Sequence, residues 1–391
     1  MDSHTEKYLP WFILKTLPHL SPRRLKQLIR HFSAPANDDT AEPNTDNTAA
    51  DILNASEDTL KQIDGLTPKI RKVIVNHNTY RKEAQKQLKR VQSNGLFITV
   101  LTDDTYPDLL KKIPDPPLLL ISDGNISADE ACISIVGSRK ATAYGLGTAR
   151  YLAQKLAECG FTIVSGMALG IDTAAHQGAL AGSGRTLAVL GAGHGHLYPR
   201  QNKGLSRDIR NNGAVITEYF PDTPPLPAYF PQRNRIIAGL SAGTVVVEAA
   251  RRSGSLITAR LAGEYNREVF AVPGSVRSAN SKGTHALIKQ GGRLVENEMD
   301  IIDELQQFVH AEAKPAPLKN QHNAQYKKQE PVMDKVQMMV YKRLDPYPKH
   351  IDTIIASTGL TSGKVSAALL DMEMSGLILR HPGNYYSKSE E

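Results

Sequence analysis

The stretch Cys132-Ile-Ser-Ile-Val136 is a short apolar run. It is followed by a helical segment, Gly147–Cys159, and then by a second apolar run, Phe161–Val164. Short apolar runs that alternate with helices are typical of parallel strands, because helices cover both faces of such a sheet. The neighbouring sequence repeats this pattern, and the remaining predicted strands are Phe97–Leu101, Leu118–Ile121, Thr186–Leu190, Ala214–Thr217, Thr244–Val247, Glu268–Val272 and Arg293–Val295. The predicted fold class is therefore α/β, an extended Rossmann-like, doubly wound parallel sheet with its ligand crevice at the carboxyl ends of the strands.

Three further segments flank the predicted sheet domain, which spans residues 96–310. Residues 1–95 form a predicted helical domain of the helix-hairpin-helix or SAM-like type, with an apolar-glycine-apolar hairpin at Leu60–Pro68. Within it we expect a flexible insertion at 33–50, where large apolar side chains are almost absent, and one basic helix over Ile70–Val91. After a linker at 311–331, residues 332–391 have the helix-turn-helix and hairpin pattern of a winged helix.

Composition excludes several classes of protein. With 391 residues, 40% hydrophobic and 22% charged, the chain is ordinary for a globular protein of two or three domains. No apolar run reaches the roughly 18 residues of a membrane span, and the first residues lack the form of a signal peptide. Because the two cysteines, Cys132 and Cys159, have no metal-type spacing, a reducing cytoplasm is the expected location.

Positive charge is concentrated in one part of the chain. The formal net charge is +7, and residues 200–293 alone carry 14 Lys and Arg against 6 Asp and Glu. Such a local excess is the usual electrostatic signature of phosphate binding. A polyanion is therefore the expected partner, and this block is its expected site.

The most informative part of that block is Ala228–Leu240, where an apolar helical run follows Phe230, Arg233, Asn234 and Arg235. A helix start offers free backbone N–H groups, and arginines beside it add cations, so the combination suits an anionic ligand. On this interpretation the arginines bind the anion and Phe230 offers a stacking face. The alternative is that Phe230 belongs to the core and that water solvates both arginines.

Three other glycine- and hydroxyl-rich turns follow predicted strands. They contain Gly137-Ser138-Arg139, Ser165-Gly166 and Ser253-Gly254-Ser255. Because the carboxyl ends of parallel strands meet at one edge of a sheet, we expect these turns to line a common phosphate site. Beside them, Asp172 is predicted to cap a helix on which His176 faces a neighbouring helix.

Catalytic chemistry has little support in the sequence. Both glycine-rich runs, at Gly145 and at Gly191, lack the third glycine of a dinucleotide fingerprint, and there is no Walker A motif. We therefore predict no cofactor, no metal site and no catalytic residue. Glu218 and Glu248 end two predicted strands, where they are able either to act as an acid–base pair or to fix loop amides and arginines.

The turns above, with Arg233–Ser241, Val247–Thr258 and Phe270–Gly274, resemble the bacterial DNA-processing protein A (DprA/Smf) family. The resemblance implies a homodimeric, non-enzymatic protein that binds single-stranded DNA, protects it during natural transformation and loads RecA recombinase onto it. It also implies that Gly137, Ser138, Arg139, Arg233 and Arg235 hold phosphates, that Phe230 contacts a base, and that Ser165, Gly166, Ser253, Gly254 and Ser255 line the pocket. The expected dimer surface is the strand–helix region at 269–292.

Two alternatives remain at this point. Ala242-Gly-Thr244 with Glu248 partly matches the motif of lysine-decarboxylase-like phosphoribohydrolases, which would make the protein a nucleotide-processing enzyme. The winged helix is the other open question, because its neutral charge favours docking of another protein over the binding of DNA.

Overall fold

The computed structural model describes residues 3–33, 47–305 and 333–389 of the chain. The predicted linker at 311–331 lies outside these residues, as does most of the predicted insertion at 33–50. The last residues of that insertion are helical, because α3 begins at Thr48.

The N-terminal part of the chain is helical. Its helices are α1 (Ser3–Thr16), α2 (Pro22–Ser33), α3 (Thr48–Asn54), α4 (Glu57–Lys61), α5 (Pro68–Val75) and α6 (Arg81–Ser93). The hairpin predicted at Leu60–Pro68 is confirmed, since Gly65 adopts φ +79° between α4 and α5. The prediction of one helix over Ile70–Val91 is wrong. The side chain of Asn76 donates to the Lys72 carbonyl at 2.9 Å, which ends α5, and a 3₁₀ turn at His77–Tyr80 leads into α6.

A nine-stranded sheet follows, in the order β1-β2-β6-β5-β4-β3-β7-β8-β9. The strands are β1 (Phe97–Val100), β2 (Leu119–Gly124), β3 (Cys132–Val136), β4 (Thr162–Ser165), β5 (Thr186–Val189), β6 (Gly213–Thr217), β7 (Gly243–Val246), β8 (Glu268–Ala271) and β9 (Arg293–Leu294). All nine lie where the sequence predicts them. The main helices between them are α8 (Ala143–Glu158), α9 (Ile171–Ala181), α10 (Lys203–Asn211), α11 (Tyr229–Leu240), α12 (Ser255–Glu264) and α13 (Lys282–Lys289).

The predicted doubly wound parallel sheet is confirmed, since the sheet is mostly parallel, and β2 is the exception. This strand pairs antiparallel with both of its neighbours, β1 and β6. A parallel neighbour needs a long crossover, usually a full helix. The link from β1 to β2 contains only the five-residue α7 (Asp108–Lys112), and the chain turns back beside β1.

Both faces of the sheet are apolar, as the continuous strand sequences require. Ile133 and Ile135 of β3 pack with α8 and α9 on one face. Cys132 and Val136, which point the other way, belong to a second core that also contains Trp11 and Phe12 of α1. This second core therefore joins the N-terminal helices to the sheet.

The C-terminal part is a small winged helix with its own core. It comprises α15 (Lys335–Tyr341), α16 (Ile351–Thr358) and α17 (Ser362–Met374), with the three-stranded sheet β10 (Lys349–His350), β12 (Tyr385–Lys388), β11 (Ile378–His381). Between α15 and β10, the Tyr347 hydroxyl accepts the Ser275 N–H at 3.0 Å, and its ring lies 5.6 Å from that of Tyr144. The short α14 (Met299–Ile302) lies between the sheet and the residues that the structure does not describe.

Neither cysteine takes part in a disulfide, and burial raises the pKa of the Cys132 thiol well above its usual value. In the described ranges, no group of three His, Cys, Asp or Glu side chains is placed to hold a metal ion. None of the described helices combines the length and the hydropathy needed to cross a membrane.

Candidate functional site

A cleft of about 900 Å³ opens at the carboxyl ends of β3 and β7. The chain runs from β3 through β4 and β5 to β6 in one direction across the sheet, and from β7 to β9 in the other. The boundary between β3 and β7 is therefore the topological switch point, where open α/β sheets bind their ligands. Residues that line the cleft include Gly137, Ser138, Arg139, Lys140, Asp172, Tyr198, Phe230, Arg233, Asn234, Arg252, Ser253, Gly254, Ser255 and Asn280.

The turn after β3 carries exposed cations into the cleft. Ser138 anchors it, because its carbonyl accepts the Ile171 N–H at 3.2 Å and its hydroxyl accepts the Lys140 N–H at 3.1 Å. Gly170 lies against this turn with φ +81°, and a Cβ there would approach the Arg139 carbonyl carbon to 2.9 Å. Only glycine therefore fits at 170, and the turn holds Arg139 and Lys140 exposed at the cleft.

Phe230, at the start of α11, is the central aromatic residue of the cleft. The Arg139 guanidinium lies over its ring at 5.6 Å from the centroid, a cation–π distance. The Tyr198 ring is 5.8 Å away and tilted by 59°. Beneath, Phe230 packs on Gly191, where an added Cβ would come within 2.9 Å of Phe230 Cδ1.

Arg233 lies in the floor of the cleft. It is only 4% exposed, and its Nη1 donates to the Gly166 carbonyl at 2.6 Å and to the Val189 carbonyl. Burial lowers the pKa of Arg233 to about 10, so the side chain remains charged at neutral pH. It thus ties together the carboxyl ends of β4 and β5 and places a positive charge under the cleft.

Arg235 lies outside the cleft, on another face of α11. Its Nη2 donates to both carboxylate oxygens of Glu218, at 2.8 and 2.7 Å, and its Nε lies 3.6 Å from Asp115 Oδ2. Both partners of the Arg235–Glu218 pair have 9% exposed side chains. The structure therefore does not support the expectation that Arg235 holds a phosphate in the cleft, because its guanidinium is outside the cleft and is already hydrogen-bonded to the Glu218 carboxylate.

The turn after β7 forms the opposite wall. The hydroxyls of Ser253 and Ser255 lie 2.8 Å apart at the start of α12, for which Gly254 is the N-cap residue. Asn234 of α11 donates to the Gly254 carbonyl at 3.4 Å. These two hydroxyls form a surface that suits an anion, whereas the backbone N–H groups of Ser253, Leu256 and Ile257 donate to carbonyls within the turn.

Ser165 and Gly166 lie beneath the cleft and do not line it. The Ser165 hydroxyl is fully buried and donates to the Ile135 carbonyl at 2.7 Å. Gly166 donates its N–H to Asp172 Oδ2 at 3.2 Å and accepts from Arg233 through its carbonyl. These two residues support the wall and offer no free group to a ligand.

Asp172 and His176 differ in detail from the sequence prediction. α9 begins at Ile171 after Gly170, and the Asp172 carboxylate accepts the N–H groups of Gly166 and Ala168 in the preceding loop. Burial raises the pKa of Asp172, although Arg233 and these N–H groups oppose the shift. His176 faces the sheet: its Nδ1 lies 2.7 Å from the hydroxyl of Thr186 on β5.

His176 should make the stability of the protein pH-dependent. Burial lowers the pKa of His176 from 6.5 to about 3, so the folded protein keeps this side chain neutral while the unfolded chain protonates it. The resulting stability is complete above the unfolded pKa and is lost as pH falls from about 6.5 towards 3. Between about pH 7.5 and 5.5, the free energy of unfolding should drop by about 1.4 kcal/mol from this group alone.

Urea titrations at the two pH values measure that drop. His176→Gln removes the titrating group and should shrink the difference by that amount, whereas the exposed His31→Gln should leave it as in the wild type. An equal drop in wild type and His176→Gln would contradict the assignment.

The Glu248 carboxylate connects two loops, those that contain Thr142 and Asn280. This carboxylate is 2% exposed, accepts the Thr142 N–H at 2.9 Å and the Thr142 hydroxyl at 2.6 Å, and lies 3.4 Å from Asn280 Nδ2. Glu218 likewise fixes Arg235. Of the two roles open to these glutamates, the structure supports the fixing of amides and arginines, and it gives the phosphoribohydrolase alternative no free glutamate at this position.

Nine of the twelve predicted site residues line one cleft, and Ser165, Gly166 and Arg235 do not. The lining residues that the sequence prediction of the site omitted include Lys140, Tyr198, Arg252 and Asn280. Tyr198 follows the glycine-rich turn after the strand Thr186–Leu190, and that turn could have indicated from the sequence that Tyr198 lies near the cleft. Asn280 comes from a distant loop and has no such signal.

Comparison with known proteins agrees with the fold. The sequence pattern of the family described as DNA recombination-mediator protein A matches residues 78–306, and that of the DprA winged helix domain matches residues 315–384. The chain is 32% identical to Protein Smf of Synechocystis over 97% of this chain and 98% of that protein. It is 45% identical to DNA processing protein DprA of Streptococcus pneumoniae over 53% of this chain and 73% of that protein.

Two solved structures are similar in fold. The X-ray structure of DNA processing protein A from Streptococcus pneumoniae superposes with a TM-score of 0.63 at 34% identity, covering 75% of this chain and 97% of that one. A structure of DNA processing protein A from Helicobacter pylori, described in terms of its single-stranded DNA binding mode, gives 0.50 at 29% identity, over 55% and 97%. The sequence patterns, the relatives and the nine-stranded sheet agree, and the chain belongs to the DNA recombination-mediator protein A (DprA) family.

Proposed function

We propose that this protein binds single-stranded DNA without regard to sequence, in the cleft between β3 and β7. The observation that carries the proposal is the convergence there of exposed cations, Arg139, Lys140 and Arg252, with the aromatic ring of Phe230. The Helicobacter pylori relative, which is described as binding single-stranded DNA, supports it.

The proposed contacts divide between backbone and base. Arg139, with Gly137, Ser138 and the hydroxyls of Ser253 and Ser255 beside Gly254, contacts phosphates, while Phe230 contacts a base. Arg233 acts through its charge and by shaping the floor, since its hydrogen bonds go to backbone carbonyls. Stacking is open to every base, so these contacts give binding that tolerates any sequence.

We further propose the cellular role that the family implies. The protein is a cytoplasmic homodimer that protects incoming single-stranded DNA in natural transformation and loads RecA recombinase onto it. It acts without catalysis, a proposal that the commitment of Glu248 to Thr142 supports. For the dimer surface we propose the region at 269–292, where Leu287 and Ile288 of α13 are only partly buried.

For the winged helix we propose contact with another protein. Leu370 and Met374 lie one turn apart on α17 and are 55% and 81% exposed, and Leu379 of β11 is 42% exposed. Residues four apart on a helix share a face. An apolar face on the second helix of the helix-turn-helix suits a protein surface better than a DNA phosphate backbone.

Fluorescence anisotropy with the full chain tests the binding proposal. Labelled single-stranded oligonucleotides of different sequence should bind with similar affinity, and a duplex of the same length should bind more weakly. If Arg139, Lys140 and Arg252 each meet a phosphate, log K should fall with log [salt] with a slope of about −2. Equal affinity for duplex and single strand, or a slope near zero, would contradict the proposal.

A further inference from the structure

Tyr198 is an exposed aromatic residue whose position points to a role in binding. It lies in the connection between β5 and α10, lines the cleft and is 50% exposed, although its ring touches that of Phe230. Exposed tyrosine rings beside a cationic cleft have the chemistry of a stacking surface, with an apolar face and a polar tip. The site residues inferred from sequence include no aromatic residue except Phe230.

The connection that carries Tyr198 is held on both sides. Before it, the N–H groups of Gly193 and Gly195 donate to the carbonyls of Thr223 at 2.9 Å and Pro221 at 3.0 Å. After it, Asn202 Nδ2 donates to the Met167 carbonyl at 2.8 Å. The ring is therefore placed before any ligand arrives, which lowers the entropy cost of using it as a contact surface.

Phe230, by comparison, has few free surfaces. The backbone of Gly191 lies beneath it, the Arg139 guanidinium covers part of the ring, and Tyr198 packs against it. It therefore has room to stack on one base only, and an adjacent base of the same strand must find another surface.

The geometry of the two rings excludes one arrangement and favours another. At a centroid distance of 5.8 Å the rings are in contact, so no base fits between them. Because the rings are tilted by 59°, they present their free faces in different directions. Two neighbouring bases are thus able to stack separately, one on each ring, with the strand bent between them.

We propose that Tyr198 is a second base-stacking residue, which extends the site from one nucleobase to two successive nucleobases. This inference rests on the proposed binding of single-stranded DNA in the same cleft. It assigns to Tyr198 a ligand of defined chemistry, the face of a nucleobase next to the one that Phe230 contacts.

Anisotropy titrations with two strands of equal length test it: oligothymidylate, and an abasic strand that has the same phosphates and no bases. Tyr198→Ala should lower the affinity for oligothymidylate about tenfold and leave the affinity for the abasic strand within about twofold of wild type. Tyr198→Phe should bind both strands as the wild type does. Tyr198→Leu still covers Phe230 but has no ring, and should behave as Tyr198→Ala.

The outcomes separate this inference from the proposal beneath it. If the wild type does not bind oligothymidylate, the proposed function itself fails. If the wild type binds but Tyr198→Ala and Tyr198→Leu bind oligothymidylate equally well, Tyr198 is not a stacking residue. Equal losses on both strands would mean that the substitutions disturb the phosphate contacts and would also overturn the inference. Retained affinity in Tyr198→Leu together with a loss in Tyr198→Ala would show that Tyr198 only shields Phe230.

Discussion

Replacing Arg139 by alanine should weaken the binding of single-stranded DNA by about 10- to 100-fold, the cost of one lost charge-assisted hydrogen bond to a phosphate. The salt dependence should weaken as well, with the slope of log K against log [salt] becoming smaller by about 0.7. Arg139 is exposed, and so the free energy of unfolding should change by less than about 0.5 kcal/mol. Anisotropy at several salt concentrations and urea unfolding measure the two quantities.

Arg260→Ala is the matched control for this experiment. Arg260 lies on α12, has a 69% exposed side chain and is 3.8 Å from Glu264, outside the cleft. Both substitutions remove one positive charge from the protein. A larger loss of affinity in Arg139→Ala than in Arg260→Ala therefore comes from the position of Arg139 in the cleft and not from the change in net charge. Equal losses of affinity in the two variants would show that the cleft is not the binding site.

The second large effect concerns stability. Glu218→Ala should lower the free energy of unfolding by about 3–5 kcal/mol, because it leaves the buried Arg235 guanidinium without its hydrogen-bonded carboxylate and with only Asp115 Oδ2, 3.6 Å from its Nε. Glu218 accepts both of its short hydrogen bonds from Arg235 Nη2, and Arg235 Nη1 already lacks a hydrogen-bond partner among the described residues. Urea or thermal unfolding of the full chain measures the loss.

Two controls define the origin of that loss. Glu264→Ala breaks the exposed pair with Arg260, which should cost at most about 1 kcal/mol. The double substitution Glu218→Leu with Arg235→Met removes both buried charges together and should recover most of the stability. A double variant as unstable as Glu218→Ala alone would show that the loss comes from packing and not from the unpaired charge.

Much of the sheet is predictable from the sequence because each strand is a local apolar run. The run Cys132–Val136 and its counterparts mark all nine strands, since burial on both faces leaves few polar residues in a strand. The direction of β2 is not predictable in the same way. The direction depends on which strands pair with β2, and nothing in the sequence of Leu119–Gly124 indicates that β6 is its neighbour.

The cleft shows the same distinction between local and long-range information. Gly137–Arg139 and Ser253–Ser255 are recognisable because each turn has the chemistry of an anion site. For Arg233 and Arg235 the period of the helix supplies a restraint: residues two apart on a helix do not share a face. A site on α11 therefore takes one of them and not both, as the structure shows. That Glu218 and Asp115 surround Arg235 depends on tertiary packing and is not visible in the sequence.

The position of α11 has a consequence for how the protein can be divided. One face of this helix lines the cleft, while Arg235 on another face pairs with Glu218, which lies two residues before Phe220 in the sequence. The Phe220 ring stacks on Phe12 of α1 with centroids 5.4 Å apart, in the core shared by the N-terminal helices and the sheet. A truncated protein that starts at residue 96 would expose that apolar face to water and associate through it. The boundary near residue 95 is thus a change of architecture along the chain and not a place at which the molecule comes apart.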